Sequence, residues 1–576
     1  MRPGRPALAL LAAASLLAAC TGRGGHPAIL PGIPGRQRAL ARRTVAALLI
    51  VLLLAACTGR GNPLDRGGGR NEAPPPRKGG TIAVALVEPA TLDPGRAASP
   101  EELLLAANLF DGLTAVDGQG NVRPAVAASW TADASRRRWE FKLRADAKFA
   151  DGTPVQAADF KFAWERLVDP RTGPRSRDLT GLLAEVRGYG ELAAGRATGL
   201  AGVTVPDAAT LVVELAQPLA DFPAVAAHPR LAPLPRSLVA RNPKGFAAKP
   251  PGNGPFALAA PHVPGKPLDL VRNPAWARRP SWLDKVHVDL VPDEQTAWLE
   301  FQDGLVKFAP VPLDQVAAAA AVYGRSPDGR TRPGLLQGPE LTTWSLAFDV
   351  RVKPFDDPEA RRAVSLALDR SLVAGGFAGT WLPATGLVPD GVPGARPSAC
   401  LACGHDAAQA KSLAASAGLH RFTLTVPDDR LDRRIAELVV ANLRTAGLDV
   451  RVNPVAPDGY TARLRQPGLQ AFALGWTADH PRQDAFLFPQ FAGGGHDNLT
   501  GFRDPAADRL LTQARSTPDD PARIKLYQQA EDAVLTQLPV VPVLWRRHAA
   551  ILAPGLRGFD FTPQGLVDLA EVSLTN

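Results

Sequence analysis

The stretch 422–452 constrains the fold of this 576-residue chain more than any other. Residues 422–426 are a short, mostly apolar run that predicts a strand. From 431 to 445 apolar residues recur at helical spacing, Gly447 caps this helix, and 448–452 reads as a second strand. A strand–helix–strand unit lays its two strands parallel, because only a long crossover returns the chain to the same end of a sheet. At least one part of the molecule is therefore an α/β layer.

Other segments follow different patterns. Residues 81–87 alternate weakly, as a strand does, and 100–110 predicts a helix with Leu103, Leu104, Ala107 and Phe110 on one face. In 139–144, Trp-Glu-Phe-Lys-Leu-Arg, apolar and charged residues alternate strictly, the signature of a half-buried strand. Asp151-Gly152 marks a turn before a helix at 157–167; 211–215 is a strand stopped by Pro218; Gly252–Phe256 is a backbone-driven loop leading into another strand. Asp357-Pro358 starts a helix, with proline at its first position. The chain thus mixes α/β units with hairpin-rich sheet, in more than one lobe.

The charge balance limits function. The net charge is +9, but residues 1–80 hold 12 of the 65 Lys and Arg and only Asp65 and Glu72 of the 56 acids. The remaining body carries 53 basic against 54 acidic groups. A nucleic-acid binder needs its basic excess on the folded body, so nucleic acid is not an expected partner.

Two charged-then-apolar segments open the chain. Arg2 and Arg5 precede an apolar core that ends in small residues and Cys20; Arg36, Arg38, Arg42 and Arg43 precede 44–56, which ends at Cys57. The nine residues LLAACTGRG occur at both 16–24 and 53–61. Thirteen apolar residues are too few to span a bilayer. Leu-Ala-Ala-Cys resembles the lipobox of bacterial lipoproteins, whose cysteine is lipidated and becomes the mature N-terminus. Cys57 is the expected anchor and Cys20 the alternative, because the Gly/Pro/Arg-rich linker 58–78 leads from Cys57 straight into folded sequence. Such a chain is exported, so Cys400 and Cys403 are expected as a short disulfide loop rather than, with His405, a zinc knuckle.

Catalytic patterns such as HExxH, GxSxG and GxxxxGK[ST] do not occur, and the nine histidines do not cluster at metal-ligand spacing. No cofactor, metal or enzymatic activity is expected. The stretch 471–487 stands out instead. It reads as a short strand through Phe472, Ala473 and Leu474, a turn at Gly475-Trp476, Asp479 in a loop closed by Pro481, and Asp484 as the N-cap of a following helix. An aromatic beside a carboxylate at a strand end suits an organic cation held against an apolar wall.

In chain order, TLDP (91–94), LFDGL (109–113), WEFKLRADAKFADGTPVQAADF (139–160), GNGPF (252–256), LVRNPAW (270–276), PFDDPEARRAVSLALDR (354–370), AGLH (417–420), GWTAD (475–479) and QLPVVPVLW (537–545) resemble landmarks of the bacterial extracellular solute-binding proteins of family 5. These are the oligopeptide- and dipeptide-binding lipoproteins of ABC importers. The resemblance implies an α/β, two-lobed periplasmic-binding-protein fold of type II with an extra domain, closing about a hinge. Lobe I would comprise 79–110, 236–342 and 541–576, the extra domain 111–235, and lobe II 343–540. It further implies that Asp479 pairs with a peptide's α-ammonium, that Trp476 lines the pocket, and that Ala98 and Pro100 border an extended segment receiving the peptide backbone. Pro100 has no N–H to donate, and where some peptide binders place an arginine this chain has Ala473-Leu474. The expected protein is a monomer on the outer face of the cell membrane, with peptide and ABC permease as partners. A non-peptide solute on the same scaffold (a nickel chelate, haem or oligosaccharide) is the alternative, and a secreted hydrolase the alternative from another class.

Overall fold

Two long strands, Gly334–Phe348 and Val540–Leu552, run antiparallel through the middle of one eleven-stranded sheet. The computed structural model describes residues 76–172, 181–325 and 334–575; both leader segments, with Cys20 and Cys57, and the linker up to residue 75 lie outside them. Beyond Gly334–Phe348 the sheet continues with Ala471–Thr477, Arg421–Pro427 and Asp449–Val455. Beyond Val540–Leu552 come Phe308–Pro310, Thr81–Val87, Lys285–Val291, Leu268–Arg272 and Phe256–Leu258, while Trp381–Pro383 also pairs with Val540–Leu552.

The ladder between the long strands is irregular at two places. Between Pro339 and Thr343, the three residues Glu340, Leu341 and Thr342 stand opposite the single Arg546; the second shift falls at Trp344 and Ser345, opposite Leu544 and Pro542. Pro339 and Pro542 border the interruptions, and a proline has no N–H to contribute to a ladder.

The apolar cores divide at the same place. One buried cluster draws only on 341–544, from Leu341 to Leu544. A second gathers Ile82, Phe256, Leu270 and Val567, and a third holds Ala85, Trp298, Phe301 and Ile551. Among the described residues the chain passes between the first cluster and the others only along the two long strands. The result is two lobes sharing one sheet.

Local chemistry accounts for the elements. The strand–helix–strand unit forms as its pattern requires: Arg421–Pro427 and Asp449–Val455 pair in parallel, and the helix Arg430–Thr445 between them buries Ile435, Ala436, Val439, Val440 and Leu443. Asp429 caps that helix by accepting from the Asp432 N–H, and Gly447 leaves it at φ 85°, where a side chain would be strained. Asp357 caps Pro358–Ala367 in the same way. The strand Arg138–Leu143 buries Trp139, Phe141 and Leu143 on one side. It belongs to a four-stranded sheet ordered Ala127–Ala132, Arg138–Leu143, Thr210–Glu214, Val203–Asp207. This sheet has no core of its own, since Trp139, Phe141, Trp164 and Phe222 join the cluster of Ile82 and Phe256.

Cys400 and Cys403 are joined by a disulfide. Among the described residues no group of three His, Cys, Asp or Glu is placed to hold a metal, and no helix is long and apolar enough to cross a membrane.

The segment 111–235 also meets the other lobe, through polar groups. Arg523 Nη2 and Arg482 Nε lie 3.0 and 3.4 Å from Asp221 Oδ1. That oxygen has no well-directed hydrogen bond, so charge attraction is what holds it. Arg482 Nη1 donates to the Gly120 carbonyl at 2.8 Å. Arg515 Nη2 donates to Glu185 Oε1 at 2.8 Å, the Arg515 carbonyl accepts from the Ala220 N–H at 2.8 Å, and its guanidinium lies 3.8 Å over the Phe488 ring. Arg515 Nε is 3.3 Å from Asp484 Oδ1, which accepts from the Tyr527 hydroxyl at 2.9 Å. Three arginines thus face Asp221, Glu185 and Asp484 in a largely buried clasp, with the exposed Asp520 also on Arg523.

Asp484 is consequently not a helix N-cap. It is the first residue of the helix Asp484–Phe491, with Gln483 in the cap position, and its carboxylate turns inward to the clasp. Burial pushes its carboxyl up to about 6, with the Arg515 guanidinium pulling the other way. An unfolded aspartate titrates near pH 4. Between about pH 4 and 6 the folded protein therefore keeps a proton that the unfolded chain has released, and this group makes stability fall as pH rises through that window. Asp484→Asn should flatten the stability profile there, measured by urea melts at stepped pH; an unchanged slope would assign it to another group.

Candidate functional site

The strand Ala471–Thr477 ends where the two lobes meet. The sequence suggests a turn at Gly475-Trp476; the strand instead runs on to Thr477, because Gly334–Phe348 offers a partner along its whole length, from Phe348 opposite Ala471 to Thr342 opposite Thr477. Phe472, Ala473 and Leu474 are buried, and Tyr460 Oη donates to the Ala473 carbonyl at 2.6 Å. Trp476 is half-buried against the first apolar cluster, and its indole N–H donates to the Ala485 carbonyl at 2.9 Å. That bond ties the strand's end to the first turn of the following helix.

Asp479 sits half-buried on the bend just beyond this strand. On one side the Ala478 N–H donates to the Leu341 carbonyl at 2.9 Å, fixing the bend to the lobe-crossing strand. On the other side His480, Pro481, Arg482 and Gln483 are all buried, and Arg482 enters the clasp. His480 is held down at about 4, first by burial, and its positive charge would also disfavour protonation of the buried His228.

The candidate segment around Ala98 and Pro100 has a different character. Asp93 of TLDP is consumed internally: its carboxylate accepts from Arg166 at 3.2 and 2.6 Å and from the Gly95 N–H at 3.2 Å. Ala98 is exposed, but its N–H donates to Glu102 Oε2 at 2.6 Å and that of Ser99 to the same oxygen at 3.0 Å. Pro100 is the first residue of the helix Pro100–Leu109, behind a Ser99–Glu102 capping box. The Ala97 carbonyl accepts from Arg230 Nε at 2.6 Å. Helix capping thus occupies the Ala98 and Ser99 N–H groups that an added strand would need. Arg230 in turn is fixed at its backbone, where its N–H donates to His228 Nδ1 at 3.1 Å.

Sequence reasoning missed the charged residues on the lobe-crossing strands. Thr342 Oγ1 donates to Glu340 Oε1 at 2.7 Å and lies 2.9 Å from Thr477 Oγ1. Arg546 Nε and His548 Nε2 approach Glu340 Oε2 at 3.3 and 3.6 Å, and Arg546 is exposed. The available signal was the run Arg546-Arg547-His548 inside a strand otherwise written in apolar residues. The crossing therefore offers an exposed guanidinium, threonine hydroxyls, and a carboxylate three residues along the chain from an indole, groups suited to a solute with both polar ends and an apolar body.

Comparison with known proteins agrees with this architecture. Residues 121–498 match the family described as bacterial extracellular solute-binding proteins, family 5, middle. The probable deoxycholate-binding periplasmic protein YgiS of Escherichia coli is 29% identical over 505 residues, covering 84% of this chain and 91% of that protein. The periplasmic murein peptide-binding protein MppA of Escherichia coli is 28% identical, covering 82% and 88%. The unliganded open form of MppA overlays with a TM-score of 0.77 at 26% identity, covering 87% of this chain and 99% of that one; a second MppA structure overlays at 0.65. In sequence and in fold, this chain belongs to the bacterial extracellular solute-binding proteins of family 5.

Proposed function

We propose that this protein is the extracytoplasmic, lipid-anchored capture component of an ABC importer, and that its solute is a peptide whose α-ammonium pairs with Asp479. The observation that carries this reading is the position of Asp479: half-buried, next to the Trp476 strand end, on a bend pinned to Leu341 where the chain crosses between lobes. A carboxylate at that place meets solute from one lobe and is shielded from water when the other lobe approaches. MppA supports the peptide reading. The moving bodies are 79–110, 236–342 and 541–576 as lobe I with 111–235 beside it, and 343–540 as lobe II. The protein binds and releases without catalysis, so a peptide should be recovered intact.

A second reading, a non-peptide solute, is favoured by two observations. The Ala98 and Ser99 N–H groups are taken by Glu102, and Ala473-Leu474 offers no carboxylate anchor. YgiS is named for deoxycholate, an amphipathic carboxylate without an amine. Calorimetry with trialanine, N-acetyl-trialanine and deoxycholate separates the readings. Stranding a buried charge costs about 2–5 kcal/mol. Asp479→Asn should therefore weaken trialanine binding by roughly 30-fold to several thousand-fold, and N-acetylation should do the same. If neither change matters, or only deoxycholate binds, the amine anchor is wrong.

Closure and anchoring have their own tests. Saturating ligand should reduce the radius of gyration in small-angle scattering, since both lobes then touch it; an unchanged value argues for a rigid site. Cys57→Ala should release the protein from membranes while Cys20→Ala should not, because stable anchoring needs the acylated cysteine. A mature mass beginning at Cys20 would reverse that assignment.

A further inference from the structure

We propose that Arg482 and Asp221 are a positioning pair for the Asp479 bend, so that ligand affinity depends on the grip of the 111–235 segment on the opposite lobe. This rests on the amine-anchor reading above. Arg482 stands three residues after Asp479, and every residue between them is buried except Asp479 itself at the outer end. One guanidinium nitrogen donates to the Gly120 carbonyl at 2.8 Å and another lies 3.4 Å from Asp221 Oδ1, both in the 111–235 segment. Arg523 holds Asp221 from the second side at 3.0 Å and is itself fixed by donating to the Thr517 and Pro518 carbonyls at 2.9 and 3.1 Å.

The bend therefore has two fixed ends of different kinds. Its start belongs to the sheet through Ala478 and Leu341, and its end belongs to the neighbouring segment through Arg482. A short loop held at both ends presents its side chain in a narrow range of directions, which lowers the cost of ordering it on binding. Freed at Arg482, the bend stays attached at Ala478 and through the Trp476–Ala485 bond, but Asp479 samples more orientations. The charge arrangement makes this end specific: Arg482 and Arg523 flank Asp221, so removing Asp221 takes the carboxylate from the buried Arg482, while removing Arg482 leaves Asp221 held from one side only.

The test is a double-mutant cycle on the full-length protein with trialanine and N-acetyl-trialanine as probes. Arg482→Gln should weaken trialanine binding roughly ten-fold and leave N-acetyl-trialanine binding unchanged. In an Asp479→Asn background the same substitution should add nothing. Arg482→Lys, which keeps the charge, should recover most of the loss, and Asp221→Asn should reproduce it, with far-UV circular dichroism confirming that each variant is folded. Losses that multiply in the double variant, or that fall equally on the acetylated peptide, would overturn the positioning role. If Asp479→Asn weakens binding and Arg482→Gln does not, this inference fails alone. If Asp479→Asn has no effect, the amine-anchor reading fails with it.

Discussion

The antiparallel ladder between Gly334–Phe348 and Val540–Leu552 is the constraint on which the rest depends. Each lobe has its own buried apolar cluster, and the ladder is their common wall. A regular antiparallel ladder would resist bending, because every second residue pair is fixed by two exchanged backbone bonds. Here the pairing lapses between Pro339 and Thr343, where three residues oppose one. A bulge of this kind lets a strand bend while the segments on both sides keep their bonds. The bulged residues, Glu340, Leu341 and Thr342, carry or contact the polar groups at the candidate site. The place where the sheet yields and the place where solute would be met are thus the same few residues.

The second contact between the lobes is built differently. The clasp of Asp221, Glu185 and Asp484 with Arg482, Arg515 and Arg523 is polar and buried, and several of its atoms, among them Asp221 Oδ1 and Arg515 Nη1, lack directed partners. Buried ion pairs of this sort add little net stability, because desolvation offsets the attraction, but mismatching them is costly. That suits a contact whose job is to fix register. Apolar packing would hold more strongly and tolerate sliding; opposed charges hold weakly and reject displacement. On its other side the same segment shares one apolar core with Ile82, Phe256 and Leu270, an attachment of the opposite kind.

Much of this was legible in the sequence, for physical reasons that differ by element. The strict alternation of 139–144 and the helical spacing of 431–445 report one-sided burial directly, and both elements lie within a residue or two of where the pattern puts them. Local signals also identified the caps at Asp357 and Gly447. What the sequence hid depends on partners far along the chain. Gly475-Trp476 looks like a turn until Thr342 and Thr343 appear beside it. Asp484 has the position of an N-cap, but Arg515 and Tyr527, more than thirty residues on, draw it inward. Glu340 and Arg546 are two hundred residues apart and meet only because two strands cross.

The same reasoning explains how one scaffold serves relatives named for solutes as unlike a murein peptide and deoxycholate. The sheet, the bulge and the clasp are set by contacts between residues far apart in the chain. The groups proposed to face solute, Asp479, Trp476 and Arg546, lie on or just beyond two strands of the sheet and are not members of the buried apolar cores, Trp476 only packing against one. If they meet solute as proposed, altering the charge of Asp479 or Arg546 would change which solute charge is welcome while leaving the apolar cores intact. Under the function proposed above, Asp479 takes a cation, while the exposed Arg546, part-neutralised by Glu340, would take an anion. A zwitterion with an apolar middle satisfies both at once, and a short peptide is such a molecule.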